Sequence, residues 1–376
     1  MIDNLVITNF KSHKNIHLAP RALTVLAGKN GVGKSSVLQS LLLLAQKAQE
    51  TTGIVSVGFK EAPLKLGTLA DVFCADAEGG EDSIGFLLSV DGEEYETNIS
   101  VSADILDHTA VPMEIVRTSK TVADYLKSIR YISADRLEPR HLHAFARDSV
   151  AKRFFGVRGE NAVAILHHYR DSGAPEDQVV AGLHGEGTDG DGNLGRQVDA
   201  WMKSFAEDMR VRTEMVGDTD VRLTFRFGYG LDWHDFSPEN VGFGISAVLP
   251  LVIMVLASRP GECLIMENPE THVHPRGQAE FGRLLALAAH AGVQIFVETH
   301  SDHIINGIRV AVKENTISPD EVDVVYFAKH ENGTGTSLSE IGGVGAKELE
   351  LYDDGDFAEY PPGFLDEWTD QLTKLL

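Results

Sequence analysis

The chain has 376 residues, 43% hydrophobic and 24% charged, which describes a folded chain with a real core, built as one large α/β domain or two ordinary ones. Its 33 Lys+Arg face 56 Asp+Glu, a formal net charge of −23. That balance disfavours bulk electrostatic binding to nucleic acid or anionic membranes and leaves only a local basic groove for such a role.

The two cysteines, Cys74 and Cys263, cannot build a disulfide framework, and neither sits in a thiol motif. The opening MIDNLVITNF lacks the basic start and apolar run of a signal peptide. Residues 247–257 form the longest apolar stretch, which is broken by Pro250 and too short to span a bilayer. A cytoplasmic chain with no membrane partner is expected.

In chain order, strand patterns cover residues 2–8, 15–18 and 23–27, followed by a glycine-bearing loop and an apolar helix over 34–49. Short strands are expected over 51–102, with turn signals at Gly79–Gly80 and Asp91–Gly92. Residues 122–215 read as mainly helical, with a strand at 129–132 and a Gly/Asp-rich mobile loop at 184–195. Strand character returns at 221–229, and an apolar helix spans 246–257. A strand (262–266), a helix (275–291) and a strand (294–298) then alternate, which implies a parallel β–α–β unit. A strand pair at 322–328 and 337–341 precedes an acidic tail and a short terminal helix. The phosphate loop and the β–α–β unit are expected to share one sheet, with the middle inserted.

Gly28-Lys29-Asn30-Gly31-Val32-Gly33-Lys34-Ser35 matches G-x-x-x-x-G-K-[ST] without exception, between a strand and a helix. Glycines let backbone N–H groups curl around an anion, and the helix adds the positive end of its dipole. Lys34 is placed to reach the β- and γ-phosphates and the Ser35 hydroxyl to bind Mg2+, with Asn30, Gly31, Gly33 and Ser36 completing the cradle. A metal-side carboxylate is expected at the end of a buried strand, where Cys263-Leu264-Ile265-Met266-Glu267 supplies Glu267. Asn268 follows where an acid would activate water; its amide orients a water but takes no proton, and Glu270 is the nearest substitute. His300 stands directly after the next strand, where it can touch the γ-phosphate, the alternative being a helix-capping or core histidine. Asn240-Val241-Gly242-Phe243-Gly244-Ile245-Ser246 opens the apolar helix as a second anion site or as a plain glycine turn.

The order of these features resembles ABC-type P-loop AAA ATPases of the RecF, SMC and OLD group. Ile7-Thr8-Asn9-Phe10-Lys11-Ser12 ahead of GKNGVGKSS is similar to their opening. Pro269-Glu270-Thr271-His272-Val273-His274-Pro275 resembles the P-E-x-H-L-H-P segment of OLD-like and PtuA-like bacterial ATPases. Tyr131-Ile132-Ser133-Ala134-Asp135-Arg136 and Tyr360-Pro361-Pro362-Gly363-Phe364 are similar to a bacterial branch of that group.

The resemblance implies an α/β ABC-ATPase-type P-loop domain with a mixed central sheet, an N-terminal antiparallel β subdomain and an inserted mainly helical region. Residues 1–120 and 220–376 would form the ATPase domain and 121–219 the insertion. It implies ATP and Mg2+ as cofactors and a homodimer, or a higher homo-oligomer, in which Asn240, Gly242, Gly244 and Ser246 reach the partner's nucleotide. His300 would be the switch histidine, and the loop at 271–274 would lie at the dimer seam. Gln39 and Gln46 are the candidates for the family's glutamine contact. With Asn268 in the second acidic position, slow or partner-dependent hydrolysis is expected. An effector partner and a role in anti-phage defence or DNA maintenance are implied as well.

Other readings fare worse. The 15 histidines show no H-E-x-x-H or Cys-rich zinc spacing. A small-molecule kinase would show an arginine-bearing lid rather than the late Glu267/His300 pair, and a GTPase would show N-K-x-D. Arg130, Arg136, Arg140, Arg147, Lys152, Arg153 and Arg158 form the dense basic region, read either as ordinary ion pairing or as a docking surface for nucleic acid or a partner.

Overall fold

The structure, a computed structural model, describes residues 1–48, 52–77, 82–170, 192–229, 232–329 and 344–375. The chain divides into two units: residues 1–129, 319–352 and 356–376 form the first, residues 130–318 and 353–355 the second.

The first unit opens on the antiparallel pair β1 (Ile2–Phe10) and β2 (His13–Leu18). β3 (Leu23–Gly28) is buried at every position but its last, as befits a strand covered on both faces. It leads through the phosphate loop into α1 (Lys34–Gln46), which buries Val37, Leu38, Leu41 and Leu44. Then come β4 (Gly53–Gly58), the short α2 (Leu69–Val72), β5 (Ser83–Val90), β6 (Glu93–Ser100), β7 (Ala110–Arg117) and α3 (Lys120–Lys127). Asp91 (φ 51°) and Gly92 (φ 79°) close the β5–β6 hairpin, both left-handed as a two-residue hairpin turn demands. Six strands in the order β2-β1-β5-β6-β7-β4 make an antiparallel sheet.

In the second unit the elements are β8 (Ile129–Ile132), β9 (Leu142–Ala144), α4 (Arg147–Ala151), α5 (Ala162–Tyr169), α6 (Leu194–Met202), β10 (Met209–Val216), β11 (Asp220–Tyr229) and β12 (Asp232–Phe236). They continue with α7 (Phe243–Leu256), β13 (Cys263–Glu267), α8 (Pro275–His290), β14 (Gln294–Glu298) and α9 (Asp302–Lys313). β9, β10, β11 and β12 form a four-stranded antiparallel sheet. α7 is buried at every residue from Ala247 to Leu256, the mark of a core helix without a wet face. Its Pro250 has no N–H for the ladder, and Gly159 packs against that ring, where a Cβ would stand 2.7 Å from Pro250 Cβ. β13 and β14 pair in parallel from Cys263↔Gln294 to Glu267↔Glu298, with α8 as the crossover, and β8 lies on the other side of β13.

The chain then completes the first unit with β15 (Val322–Lys329), β16 (Val344–Leu349) and α10 (Glu367–Leu375). β15 runs parallel to β3 and antiparallel to β16, so this sheet is mixed. The fold is therefore α/β, with an antiparallel β subdomain and a mixed sheet carrying the phosphate loop.

Several expectations shift. Residues 209–216 form a strand, because Met209 and Val211 are buried while Arg210 and Arg212 point out, a period of two. α7 starts at Phe243 rather than Ser246, since Gly242 serves as its N-cap. A further helix, Asp302–Lys313, follows β14 and is capped by Ser301, whose side chain accepts from Ile304 N. The expected turn at Gly79–Gly80, the strand at 337–341 and residues 184–191 of the expected loop lie outside the described residues. Cys74 and Cys263 are buried free thiols. Among the described residues, no helix is long and apolar enough to cross a membrane.

Candidate functional site

In the first unit β3 delivers the loop and α1 receives it. Gly28, Gly31 and Gly33 have φ of 132°, 73° and 91°, backbone that side-chain-bearing residues rarely adopt. Space requires two of them as well. A Cβ on Gly28 would collide with Phe327 O, and one on Gly33 would lie 2.5 Å from Ser12 Oγ and 2.6 Å from His13 Cε1. Gly33 caps α1 without a side-chain bond, which leaves the start of that helix open toward an anion. Lys34 is 2% exposed and folds back over the loop, its Nζ donating to Gly28 O at 2.9 Å and Lys29 O at 2.8 Å. Ser36 N closes on Gly33 O at 3.0 Å.

His13 is a member of this site that sequence reasoning missed. It is 3% exposed, and its Nε2 lies 2.9 Å from Gly33 O, with the ring tilted against Phe327. Burial holds the imidazole below its ordinary value, so the neutral ring with Nε2–H donating to Gly33 O is the favoured form. The only sequence hint was its place in the text preceding the loop. Lys11 Nζ donates to Gln39 Oε1 at 2.8 Å, and burial lowers that lysine's pKa against the opposing pull of Asp71. Gln46 donates to Glu61 O at 3.3 Å.

The terminal Tyr360–Phe364 segment also reaches the loop. Tyr326 on β15 donates to Pro362 O at 3.1 Å, and a Cβ on Gly363 would stand 3.4 Å from Lys29 Cε.

The second unit holds the remaining candidates. Glu267 ends β13, where its Oε1 accepts from the Tyr131 hydroxyl at 3.0 Å and its Oε2 from Ala134 N at 3.3 Å. Asn268 is left-handed (φ 44°), and its N–H donates to Glu298 O at 2.8 Å. Its carbonyl accepts from Arg136 Nη2 at 2.8 Å and from the Thr271 hydroxyl at 2.9 Å. Glu270 accepts from Thr299 Oγ1 at 2.7 Å and from His300 N at 2.9 Å, so this acid holds the loop that presents the exposed His300. Gln278 ties that arrangement to α9 through the Ser301 hydroxyl at 2.5 Å.

At the start of α7, Asn240 bonds Ser237 Oγ at 3.1 Å, and Ser246 Oγ is buried without a partner among the described residues. A Cβ on Gly244 would collide with His272 O, so glycine is what lets the Pro269–Pro275 loop approach. Phe243 meets the His272 ring at 4.5 Å. A cavity of about 150 Å³ opens between these segments, lined by Gly242, Gly244, Ile245, His272, His274 and Phe205 among others. His274 accepts from Arg276 N at 3.3 Å and caps α8.

Much of the basic region is spent internally. Arg153 and Arg130 pair with Glu262 at 2.6 and 3.3 Å, Arg158 pairs with Asp135 at 3.1 Å, and Arg136 is buried. Arg140, Arg147 and Lys152 stay exposed. Among the described residues, no group of three or more His, Cys, Asp or Glu is placed to hold a metal ion.

Residues 23–306 match the protein family described as "AAA domain, putative AbiEii toxin, Type IV TA system". No curated protein matches the chain. Among solved structures, an SMC head bound to the C-winged helix domain of ScpA aligns at 11% identity and TM-score 0.53, covering 93% of this chain and 98% of that one. An SMC head with an extended coiled coil, bound to the C-terminal domain of ScpA derived from Pyrococcus furiosus, aligns at 11% identity and TM-score 0.50, covering 100% and 99%. The chain belongs to this AAA-domain family, and its fold is the P-loop ATPase fold of SMC heads.

Proposed function

We propose that the chain binds ATP with Mg2+ and works as an ATP-gated clamp or switch between two protomers, with slow or partner-dependent hydrolysis. The observation that supports this best is the complete phosphate loop, whose three glycines all adopt positive φ, two of them also being required by space, and whose lysine lies over the arc. Each expected ligand, taken by itself, suits Mg2+, because the Ser35 hydroxyl and the Glu267 carboxylate are hard oxygen donors of the kind that ion takes. When bound, Mg2+ would neutralise charge building on the phosphate oxygens.

Asn30, Gly31, Gly33, Lys34, Ser35 and Ser36 would hold the phosphates. Asn240, Gly242, Gly244 and Ser246 would act on the partner's nucleotide, and His300 would sense the γ-phosphate. The amide of Asn268 orients a water but leaves its proton. Glu270, the nearest acid, already accepts from the Thr299 hydroxyl and the His300 N–H. Slow turnover follows from the amide at Asn268.

In this reading residues 1–120 and 220–376 form the ATPase and 121–219 its insertion. An effector partner, the PtuA-like branch, and a cytoplasmic role in anti-phage defence or DNA maintenance belong to the same proposal, supported by the motif resemblance. The competing readings are a non-hydrolysing nucleotide sensor and a RecF-like DNA-binding repair ATPase.

Phosphate release and ATP binding by equilibrium dialysis test the proposal. Wild type should bind ATP and turn it over slowly, Lys34→Ala should lose both, and Asn268→Glu should raise the rate by about tenfold or more. ATP binding unaffected by Lys34→Ala, or absent from wild type at millimolar ATP and Mg2+, would sink it.

A further inference from the structure

The segment Tyr131–Arg136, which follows from β8 into the next turn, makes every side-chain contact described for the Glu267 carboxylate. β8 lies beside β13, so Tyr131 reaches the strand's end and donates to Glu267 Oε1, while the turn beyond it offers Ala134 N to Oε2. Both oxygens are thereby aimed from one side.

Arg136 works on the backbone of the same turn. Its Nη1 donates to Glu267 O at 3.1 Å and its Nη2 to Asn268 O at 2.8 Å, with Ser133 O a longer acceptor at 3.5 Å. The side chain is 6% exposed, and its Nε is buried without a partner among the described residues. A buried guanidinium held by carbonyls instead of a carboxylate is costly to desolvate. The neighbouring charges of Glu270 and Glu267 offset part of that cost, working against a desolvation that lowers the arginine's pKa. An apolar side chain would fill the volume more cheaply. What it could not do is bridge two consecutive carbonyls and hold Asn268 in its left-handed conformation.

We propose that Tyr131 and Arg136 are positioning residues: Tyr131, with Ala134 N–H, aims the Glu267 carboxylate, and Arg136 fixes the Glu267–Asn268 turn that presents it to the metal. The proposal rests on the ATP–Mg2+ reading and adds residues to which no motif assigned a role.

The test uses the full chain and Mn2+ as the probe. Electron paramagnetic resonance distinguishes bound from free Mn2+ in a titration of the ATP-loaded protein, and equilibrium dialysis in EDTA measures ATP affinity without metal. Tyr131→Phe and Arg136→Lys should each weaken Mn2+ binding about tenfold, the usual cost of losing a partner that orients a metal ligand. ATP affinity in EDTA should stay within about twofold of wild type, since the phosphate loop is untouched; a purely structural role would lower both affinities or neither. Arg136→Met orphans two carbonyls and can unfold the chain. Tyr131→Phe removes a single hydroxyl, so its Mn2+ affinity decides the matter alone. Wild-type Mn2+ affinity in Tyr131→Phe, with wild type itself binding ATP, overturns this inference and leaves the ATP reading standing. No ATP binding by wild type removes that reading and this inference with it.

Discussion

Asp323 on β15 sits opposite Thr24 of β3, 5% exposed, with Oδ2 unpartnered among the described residues. Burial, reinforced by Glu348 and only partly relieved by Arg21, pushes its pKa up to about 8. In the unfolded chain the same carboxyl ionises near pH ~3.9. Between those values the folded state keeps a proton that the unfolded state has lost. The stabilisation is thus complete below about pH 4 and falls as pH rises toward 8, by at most about 1.4 kcal/mol per pH unit. Asp323→Asn should flatten that decline and make the variant the more stable protein at pH 9. Urea midpoints at pH 5, 7 and 9 measure this, and parallel pH profiles for the two proteins would refute it. Such a residue is invisible in the sequence, where Val322-Asp323-Val324 reads as one polar residue within a strand. His13 is similar: a buried brace under Gly33, recognisable only once the β1–β2 pair is folded.

At the scale of elements, α8 and α9 approach backbone to backbone. A Cβ on Gly307 would collide with Ala279 O, and one on Gly282 with Ile304 O. Gly307→Ala gains up to about 1 kcal/mol in helix propensity. It also forces apart two helices whose obstructing atoms are carbonyls that cannot swing aside, an overpacking cost of about 1–3 kcal/mol. The clash should win, lowering the thermal midpoint by several degrees; an unchanged or raised midpoint would show that the helices slide freely. The strands and helices of the β–α–β unit were readable because apolar runs and Pro275 mark them locally. α9 carries a good helix start in Ser301 and Asp302 but no long apolar run, and β10 is hard to read because a period-two pattern of Met and Val between arginines is short. Both α1 and α7 follow a glycine, but only α1 is marked in sequence by G-x-x-x-x-G-K-[ST]. What the fold adds at α7 is the reason for glycine at 244, where a Cβ would collide with His272 O.

For the whole molecule, charge and oligomeric state are linked. Two chains of net charge −23 repel each other, so an ATP-linked dimer needs the nucleotide and its metal to hold it. Light scattering should show the mass doubling with ATP and Mg2+, most clearly because turnover is slow, and Lys34→Ala should remain at the single-chain mass. A wild-type mass indifferent to ATP would leave the chain a nucleotide binder without a clamp. The arginine-rich region offers nucleic acid less than its density implied. Arg136 serves Glu267 and Asn268, and Arg153 and Arg130 serve Glu262, so charge reversal there would report on folding. Arg140, Arg147 and Lys152 are the exposed positions at which surface binding is better sought.

The phosphate loop, the acidic strand end at Glu267, the histidine after β14 and the α/β alternation were determined by the sequence itself, because each is a pattern of consecutive residues with a local physical reason. The support of those residues was decided by tertiary structure alone. Tyr131 meets Glu267 across 136 positions, Arg136 meets its carbonyl across 131, and Glu270 meets His300 N across 30. Contacts at such separations exist only after strands have paired and burial has brought a few polar groups into bonding distance. No periodicity along the chain encodes which groups those will be.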